Sequence, residues 1–512
     1  MPETVVNNRR IAQNTIFLYF RMIVVMLISL YTVRAFLNIL GETNYGLYNV
    51  IGGVVGMFSF LNGTLSTSSQ RYFSQALVKG NKEGIKKVFC LNLTVYLILI
   101  IIIIAFLETI GLWFVNNQMT IPDDRIKAAN IVYQISILTF LLQMMSIAYT
   151  ALVVAYEKMK AFAYIGIFEA LLKLGYVFLL SIVSYDKLIA YAVLMFILYF
   201  LITALYVGYC RIHFAESKYF FYWNKREAFE MLGFSGWHFL GTLSVVVRSQ
   251  GVNILINMFF SPAVNAARAI AFQVEGAINK FSDSFFVAVK PQMYKSYSNG
   301  EIEALNTLVN RSSIICFFLV SILSVPLFFN TPYILSLWLK NVPDYTIVFT
   351  QLVLIEGLID SVSGSAICPA LATGKIKKFY IVTGNLYILS LPIAYIFLKL
   401  GCEPTSTMLV SIGISIVCLF ARAWLLIDLI HFSIKEYMKL CGKLIFVTLL
   451  IGSCTFFTTK MFTYNWTILA VSTIVSSLLH CVLYLFFICS QQDRVIIIRI
   501  VNNKLHRNGN QK

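Results

Sequence analysis

The sequence predicts an all-α polytopic membrane protein with about 14 transmembrane helices: two six-helix repeats forming facing bundles, and two further C-terminal helices. Three observations predict it. Of 512 residues, 59% are hydrophobic and only 12% charged, with a mean hydropathy of +0.79, outside the balance of a soluble domain. Apolar runs of about 20 residues recur along the whole chain, the length that crosses roughly 30 Å of hydrocarbon at about 1.5 Å per residue. The polar breaks between these runs alternate in their Lys and Arg content.

The runs fall at about 11–37, 47–69, 88–115, 128–155, 161–184, 188–210, 231–258, 265–289, 307–331, 346–371, 379–399, 405–430, 444–461 and 466–489. The N-terminal tail, alternate loops and C-terminal tail hold 26 Lys and Arg. The other loops hold 6, counting Lys399 and Lys460 at the ends of their runs with the loops they adjoin. The positive-inside rule then places both termini in the cytoplasm. Arg9 and Arg10 precede a full-length run with no small-residue cleavage site, so the first span is expected to stay in the mature chain.

The segment 211–230 mixes Arg211, Lys218, Lys225 and Arg226 with Tyr219, Phe220, Phe221, Tyr222 and Trp223. Such a stretch suits the membrane interface and reads as a linker between halves. Internal repetition agrees. Arg71–Glu83 matches Pro291–Glu303 at an offset of 220, aligning Gly80 with Gly300. Ala155–Phe162 matches Ala372–Phe379 at an offset of 217. The expected domains are therefore a six-helix bundle over 1–210, the interfacial linker 211–230, a second bundle over 231–430, and two helices with a basic tail over 431–512. Equal orientation of the halves implies a parallel repeat about an axis along the membrane normal, with a central cleft as in alternating access.

Composition excludes several function classes. The net charge of +17 reports membrane topology rather than nucleic-acid binding, since no soluble basic surface exists to carry it. Ten scattered cysteines and five histidines form no CxxC, HExxH or ligand cluster, so no metal, haem or other cofactor is expected. No P-loop, DxD-like diacid or Ser/His/Asp arrangement occurs, and no outer loop exceeds about 14 residues. An enzyme is not expected, and no catalytic residue is assigned.

The charges left inside the runs are the functional candidates, because an ionised side chain there needs water or a partner. In the eighth run Asn265, Arg268, Glu275, Asn279 and Asp283 share one narrow helical stripe, while Lys280 and Asp283 lie near an end that reaches the interface. Arg21 and Arg34 lie in the first run and Arg248 in the seventh. Guanidinium stays protonated and can grip a phosphate bidentately, so Arg21, Arg34, Arg248 and Arg268 point to an anionic, phosphate-bearing cargo. Interhelical pairing with Glu275, Glu356 or Asp360 is the structural alternative. Glu356 and Asp360 stand one turn apart, a repulsive spacing that suits either an ion-coupling site or an Arg partner, and Glu275 joins them as a coupling candidate. Glu169 and Lys173 have the favourable helical ion-pair order, Arg422 and Asp428 read as snorkelling residues, and Gly52, Gly53, Gly56 and Gly63 as a packing face.

The pattern of fourteen runs, the turn Leu40-Gly-Glu-Thr-Asn-Tyr-Gly-Leu-Tyr48 after the first, and Arg71 directly after the second resemble the polysaccharide-transport (Wzx-type) flippases. These belong to the multidrug/oligosaccharidyl-lipid/polysaccharide exporter superfamily. Ser261-Pro262-Ala263 departs from the glycine-tyrosine turn in the second half. The resemblance implies a bacterial inner-membrane protein that moves an undecaprenyl-pyrophosphate-linked oligosaccharide to the periplasmic leaflet for O-antigen, capsule or exopolysaccharide assembly. Cationic cavities are typical there, and Arg21 and Arg268 occupy places where such residues occur. The implied partners are lipid-linked oligosaccharide, membrane lipids and a proton or sodium ion for coupling, for a monomer that associates with a polysaccharide polymerase. The alternatives are a multidrug exporter or lipid II flippase of the same superfamily, and a membrane polysaccharide polymerase or ligase, which the short outer loops disfavour.

Overall fold

The computed structural model describes residues 3–488, apart from 57, 118–120, 122, 261, 340, 341 and 461–465, together with 494. The described residues form fourteen helices and no strand. They are α1 Glu3–Gly56, α2 Ser59–Val78, α3 Lys82–Asn117, α4 Ile126–Ala155, α5 Met159–Ile182, α6 Lys187–His213, α7 Lys225–Phe259, α8 Pro262–Ser298, α9 Ile302–Trp338, α10 Thr346–Thr373, α11 Lys377–Lys399, α12 Thr405–Ile430, α13 Ile434–Lys460 and α14 Trp466–Ile488. A π turn at Leu107–Gly111 interrupts α3, and a 3-10 turn at Gly364–Ala366 interrupts α10. An all-helical chain is what hydrocarbon demands, since a helix satisfies its backbone within itself.

Eleven of the fourteen are long and apolar enough to cross a bilayer. The exceptions are α1, whose apolar stretch is Gln13–Ser29, together with α2 and α8. In α8 the polar stripe lowers the hydropathy. One boundary differs plainly from expectation. The break expected between 37 and 47 is absent: α1 runs unbroken to Gly56, and the chain turns at Phe58 instead. No proline interrupts 3–56, and a glycine inside a helix costs only about 1 kcal/mol, so Gly41 and Gly46 cannot force a stop.

Contacts divide the chain into two compact units. The first comprises the residues up to Thr242 with Ser284–Gly300, and the second Leu243–Asp283 with the residues from Glu301 onward. The boundaries thus fall inside α7 and α8.

In the first unit α4 packs against α6 and α2, and α1 against α5. Small residues make α4 central: Ala129, Ala148, Ala151 and Ala155 are completely buried, which lets neighbouring helices approach closely. One buried polar cluster joins α2 to α3. Ser69 donates to Asn92 (2.7 Å), Asn92 donates to the Val88 carbonyl (2.8 Å), and Tyr96 donates to the Leu65 carbonyl (3.1 Å). In the second unit α10 lies between α9 and α12, α11 packs on α12, and α13 and α14 pack on α9. Val252, Ile256, Phe349, Val353 and Met408 form part of its core.

The turns matched by the internal repeat share a conformation. Gly80 and Gly300 are left-handed at φ +66° and +77°, the region glycine enters without penalty. Glu157 and Gly374, aligned by the offset of 217, are both left-handed too, at φ +58° and +76°. Glu157 lacks glycine's freedom. Its carboxylate is buried and accepts from Gln292 Nε2 (2.6 Å) and from the Lys295 ammonium, both on α8, which holds the turn in place.

Candidate functional site: intramembrane arginines and carboxylates

Arg21 projects from α1 onto α5 within the first unit, its guanidinium 4.5 Å from the centre of the Phe162 ring. Gly166, one turn along α5 from Phe162, makes the space: a Cβ there would lie 2.2 Å from Arg21 Nε. That Nε is buried without a hydrogen-bond partner among the described residues, and no ion pair engages Arg21 there. The nearest acid along α5, Glu169, is held by Lys173 at 2.7 Å, as its helical spacing predicts. A guanidinium resting on a ring with an unused donor is equipped to receive an anion. The side chain of Arg34 lies outside the described residues.

The second unit gathers the other candidates. Arg268 is buried on α8, with its guanidinium 4.3 Å from the Phe272 ring and a hydrogen bond to Asn253 Oδ1. Asn265 Nδ2 donates to the Asn253 carbonyl at 3.1 Å, fixing α7 and α8 in register. Arg268 Nε has no hydrogen-bond partner, and no carboxylate pairs with the side chain among the described residues. Arg21 and Arg268 therefore repeat one arrangement, one in each unit.

Arg248 differs. It forms an ion pair with Glu356, whose Oε1 also accepts from Ser415 at 3.2 Å, and its guanidinium lies 5.1 Å from the Tyr387 ring. Both charges are deep, with side chains 12% and 4% exposed. The pairing expected as the structural alternative is thus present at Arg248. Two glycines let α7 approach α11, which carries Tyr387: a Cβ at Gly251 would meet Leu391 at 2.6 Å, and one at Gly384 would meet Ser244 at 2.8 Å.

Glu275 accepts from Asn279 at 3.3 Å and lies against Gly357 of α10. Glu356 Oε2 and Asp360 Oδ1 are buried with no hydrogen-bond partner among the described residues. Asp360 interacts electrostatically with Arg248 and Arg422. Lys280 and Asp283, nearer the end of the stripe, are exposed.

Arg422 does not snorkel. It is buried, donating through Nη1 to Ser363 (2.8 Å) and through Nη2 to the Tyr387 hydroxyl (2.5 Å). It stands eight residues before the end of α12, about 12 Å of rise, too deep for its stem to reach the interface. Asp428, one to two turns further on, is exposed and pairs with Lys378 at 3.1 Å. The interior of the second unit therefore holds three guanidinium groups (Arg248, Arg268, Arg422) and three carboxyl groups (Glu275, Glu356, Asp360), only one pair of which is in direct contact.

One groove of the second unit lies apart from these charges. It has a volume of about 470 Å³ between α9, α10 and α13 and is lined by side chains such as Phe328, Leu354, Thr448 and Phe456, with none of the charged candidates among them. No group of three His, Cys, Asp or Glu among the described residues is placed to hold a metal ion.

No protein-family model matches the chain, and no curated protein matches it. Solved structures do. The MATE transporter ClbM in complex with Rb+ superposes with a TM-score of 0.68 at 15% identity, covering 84% of this chain and 96% of its own. A multidrug resistance MATE family transporter of the MOP superfamily, in an outward-facing conformation, gives 0.67 at 14% identity over 81% of this chain and 94% of its own. A MOP superfamily transporter from Pyrococcus furiosus, reported with a binding pocket of reverse polarity, gives 0.66 at 14% identity over 81% and 94%. With those arginines and carboxylates set on this frame, the chain has the fold of the MATE transporters of the MOP superfamily.

Proposed function

We propose that the chain is an alternating-access flippase that carries a lipid-linked, pyrophosphate-bearing oligosaccharide across the bacterial inner membrane. Arg21 in the first unit and Arg268 in the second are each equipped to attract the anionic head. One observation carries this reading: each unit places a guanidinium on a phenylalanine ring with an unbonded, buried Nε and no carboxylate paired to it. A cation kept that way inside a membrane protein costs stability unless an anion visits it. Arg248, held by Glu356, is given a lesser part: it positions Glu356, and with Glu275 and Asp360 that carboxylate is the candidate for ion coupling. A further support is that one structural neighbour, a MOP superfamily transporter, is reported with a binding pocket of reverse polarity that suggests a different function.

A multidrug exporter is the second reading, favoured by the multidrug resistance transporter among the structural neighbours and by the carboxylates of the second unit. The two differ in cargo charge. Reconstituted protein should accelerate flipping of a fluorescent polyprenyl-pyrophosphate oligosaccharide and leave a cationic drug such as ethidium untransported. Ethidium transport that survives Arg21→Ala and Arg268→Ala, with no lipid flipping, overturns the flippase in favour of the exporter.

A further inference from the structure

Between α6 and α7 the chain leaves the helical state. Residues 214–224 are irregular apart from a 3-10 turn at Ala215–Ser217. Their backbone is nevertheless pinned within the first unit. The Phe214 ring stacks on Tyr156 with centroids 4.3 Å apart, the Phe220 amide donates to Cys90 Sγ (3.3 Å), and Tyr219 and Thr94 share a hydroxyl hydrogen bond (3.2 Å).

Pinned this way, the segment turns Phe221 (75% exposed) and Trp223 outward, and the helix ends that flank it add Ile212 on α6 (81%) and Phe229 on α7 (62%). Irregular backbone cannot sit in hydrocarbon, yet such side chains are poorly placed in water. The level that satisfies both is the headgroup region.

The charges around these side chains choose the headgroup. Arg211, Lys218 and Lys225 alternate with the outward aromatics and are exposed. Lys82 and Lys86 open α3 beside them, and the Lys86 ammonium lies 5.0 Å from the centre of the Phe220 ring, which ties the two segments together. Among the described residues Lys82, Lys86, Lys218 and Lys225 have no ion-pair partner, whereas Lys87 and Arg226 are occupied by Glu83 (2.9 Å) and Glu230 (3.1 Å).

From this collar of unpaired cations around interfacial aromatics, we infer that residues 211–229 with the first turn of α3 form a binding site for the headgroups of anionic phospholipids in the bilayer. Lys86, Lys218 and Lys225 attract the phosphates, and the rings of Phe221 and Trp223 enter the acyl boundary. The inference is independent of the cargo proposed above.

Trp223 reports on the site directly. The full-length protein is reconstituted in phosphatidylcholine vesicles containing either brominated phosphatidylglycerol or the same mole fraction of brominated phosphatidylcholine. The Trp223 share of the quenching is the difference between the native chain and Trp223→Phe. The brominated anionic lipid should quench Trp223 about twofold more than the neutral one, because several nearby cations enrich anionic lipid within a Debye length. That excess should vanish in Lys86→Gln/Lys218→Gln/Lys225→Gln and, without any substitution, in 0.5 M NaCl. Equal quenching by the two lipids overturns the headgroup assignment, and an excess that survives both high salt and the triple substitution overturns the role of the lysines. Quenching by neither lipid overturns the membrane contact itself.

Discussion

Arg248 and Arg268 stand near each other on consecutive helices, but substitution should separate them. In Arg248→Met the hydrogen-bonded, almost fully buried Glu356 loses its cation. Removing one partner of a buried pair costs about 3–5 kcal/mol, because the remaining charge is left uncompensated. For a unit of about 250 residues, each kcal/mol moves the unfolding midpoint by about 2–4 °C, so a drop of order 10 °C is expected. Arg268→Met strands no carboxylate: it gives up the bond to Asn253 and the contact with Phe272, and it also removes a buried charge. These effects offset to within about 1 kcal/mol. The assay is intrinsic-fluorescence thermal unfolding of detergent-purified protein, with Arg248→Met/Glu356→Gln completing the comparison and recovering at least half of the loss. The reasoning is refuted if Arg268→Met unfolds as early as Arg248→Met, or if Glu356→Gln fails to rescue.

Three further predictions concern the first unit. Glu157→Gly keeps the left-handed turn without strain but loses the contacts to Gln292 and Lys295, whereas Glu157→Ala loses both; the alanine variant should unfold at lower denaturant, by about 1 kcal/mol. Gly111→Ala places a Cβ 2.2 Å from the Tyr133 hydroxyl, which donates to the Leu107 carbonyl at 2.7 Å, so it should destabilise by about 1–3 kcal/mol in the same assay. Ahead of the apolar run 88–115, the hydrogen bond from Lys87 and its positive charge hold Glu83 below its usual 4.5 at the start of α3. A depressed carboxyl contributes stability that is present above its unfolded value and lost as pH falls through its folded one. The midpoint difference between the native chain and Glu83→Gln should therefore be present at pH 7 and shrink as the pH falls below the usual carboxyl value of 4.5.

Much of the frame is legible in the sequence for a physical reason. Hydrocarbon allows only self-satisfied backbone, so each crossing writes a long apolar run; the runs from the third onward correspond to α3 through α14 in order, while the second is divided between the end of α1 and α2. The first break is not legible, because Leu40–Tyr48 has the composition of a turn but nothing that forbids a helix. Local pairs show in spacing, as Glu169 and Lys173 do. The Arg248–Glu356 pair spans 108 residues and has no local signal at all. Arg422 was legible in principle from its depth in α12, and Glu157 from its alignment with Gly374, a position that requires a left-handed residue.

The central claim is most directly tested by reversing the two unpaired guanidiniums. In proteoliposomes, Arg21→Glu and Arg268→Glu, each confirmed folded by thermal unfolding and monodisperse chromatography, should lower the flipping rate of a labelled polyprenyl-pyrophosphate oligosaccharide by at least tenfold, since each replaces an attraction to the pyrophosphate with a repulsion. Flipping at the native rate by both folded variants would contradict the account.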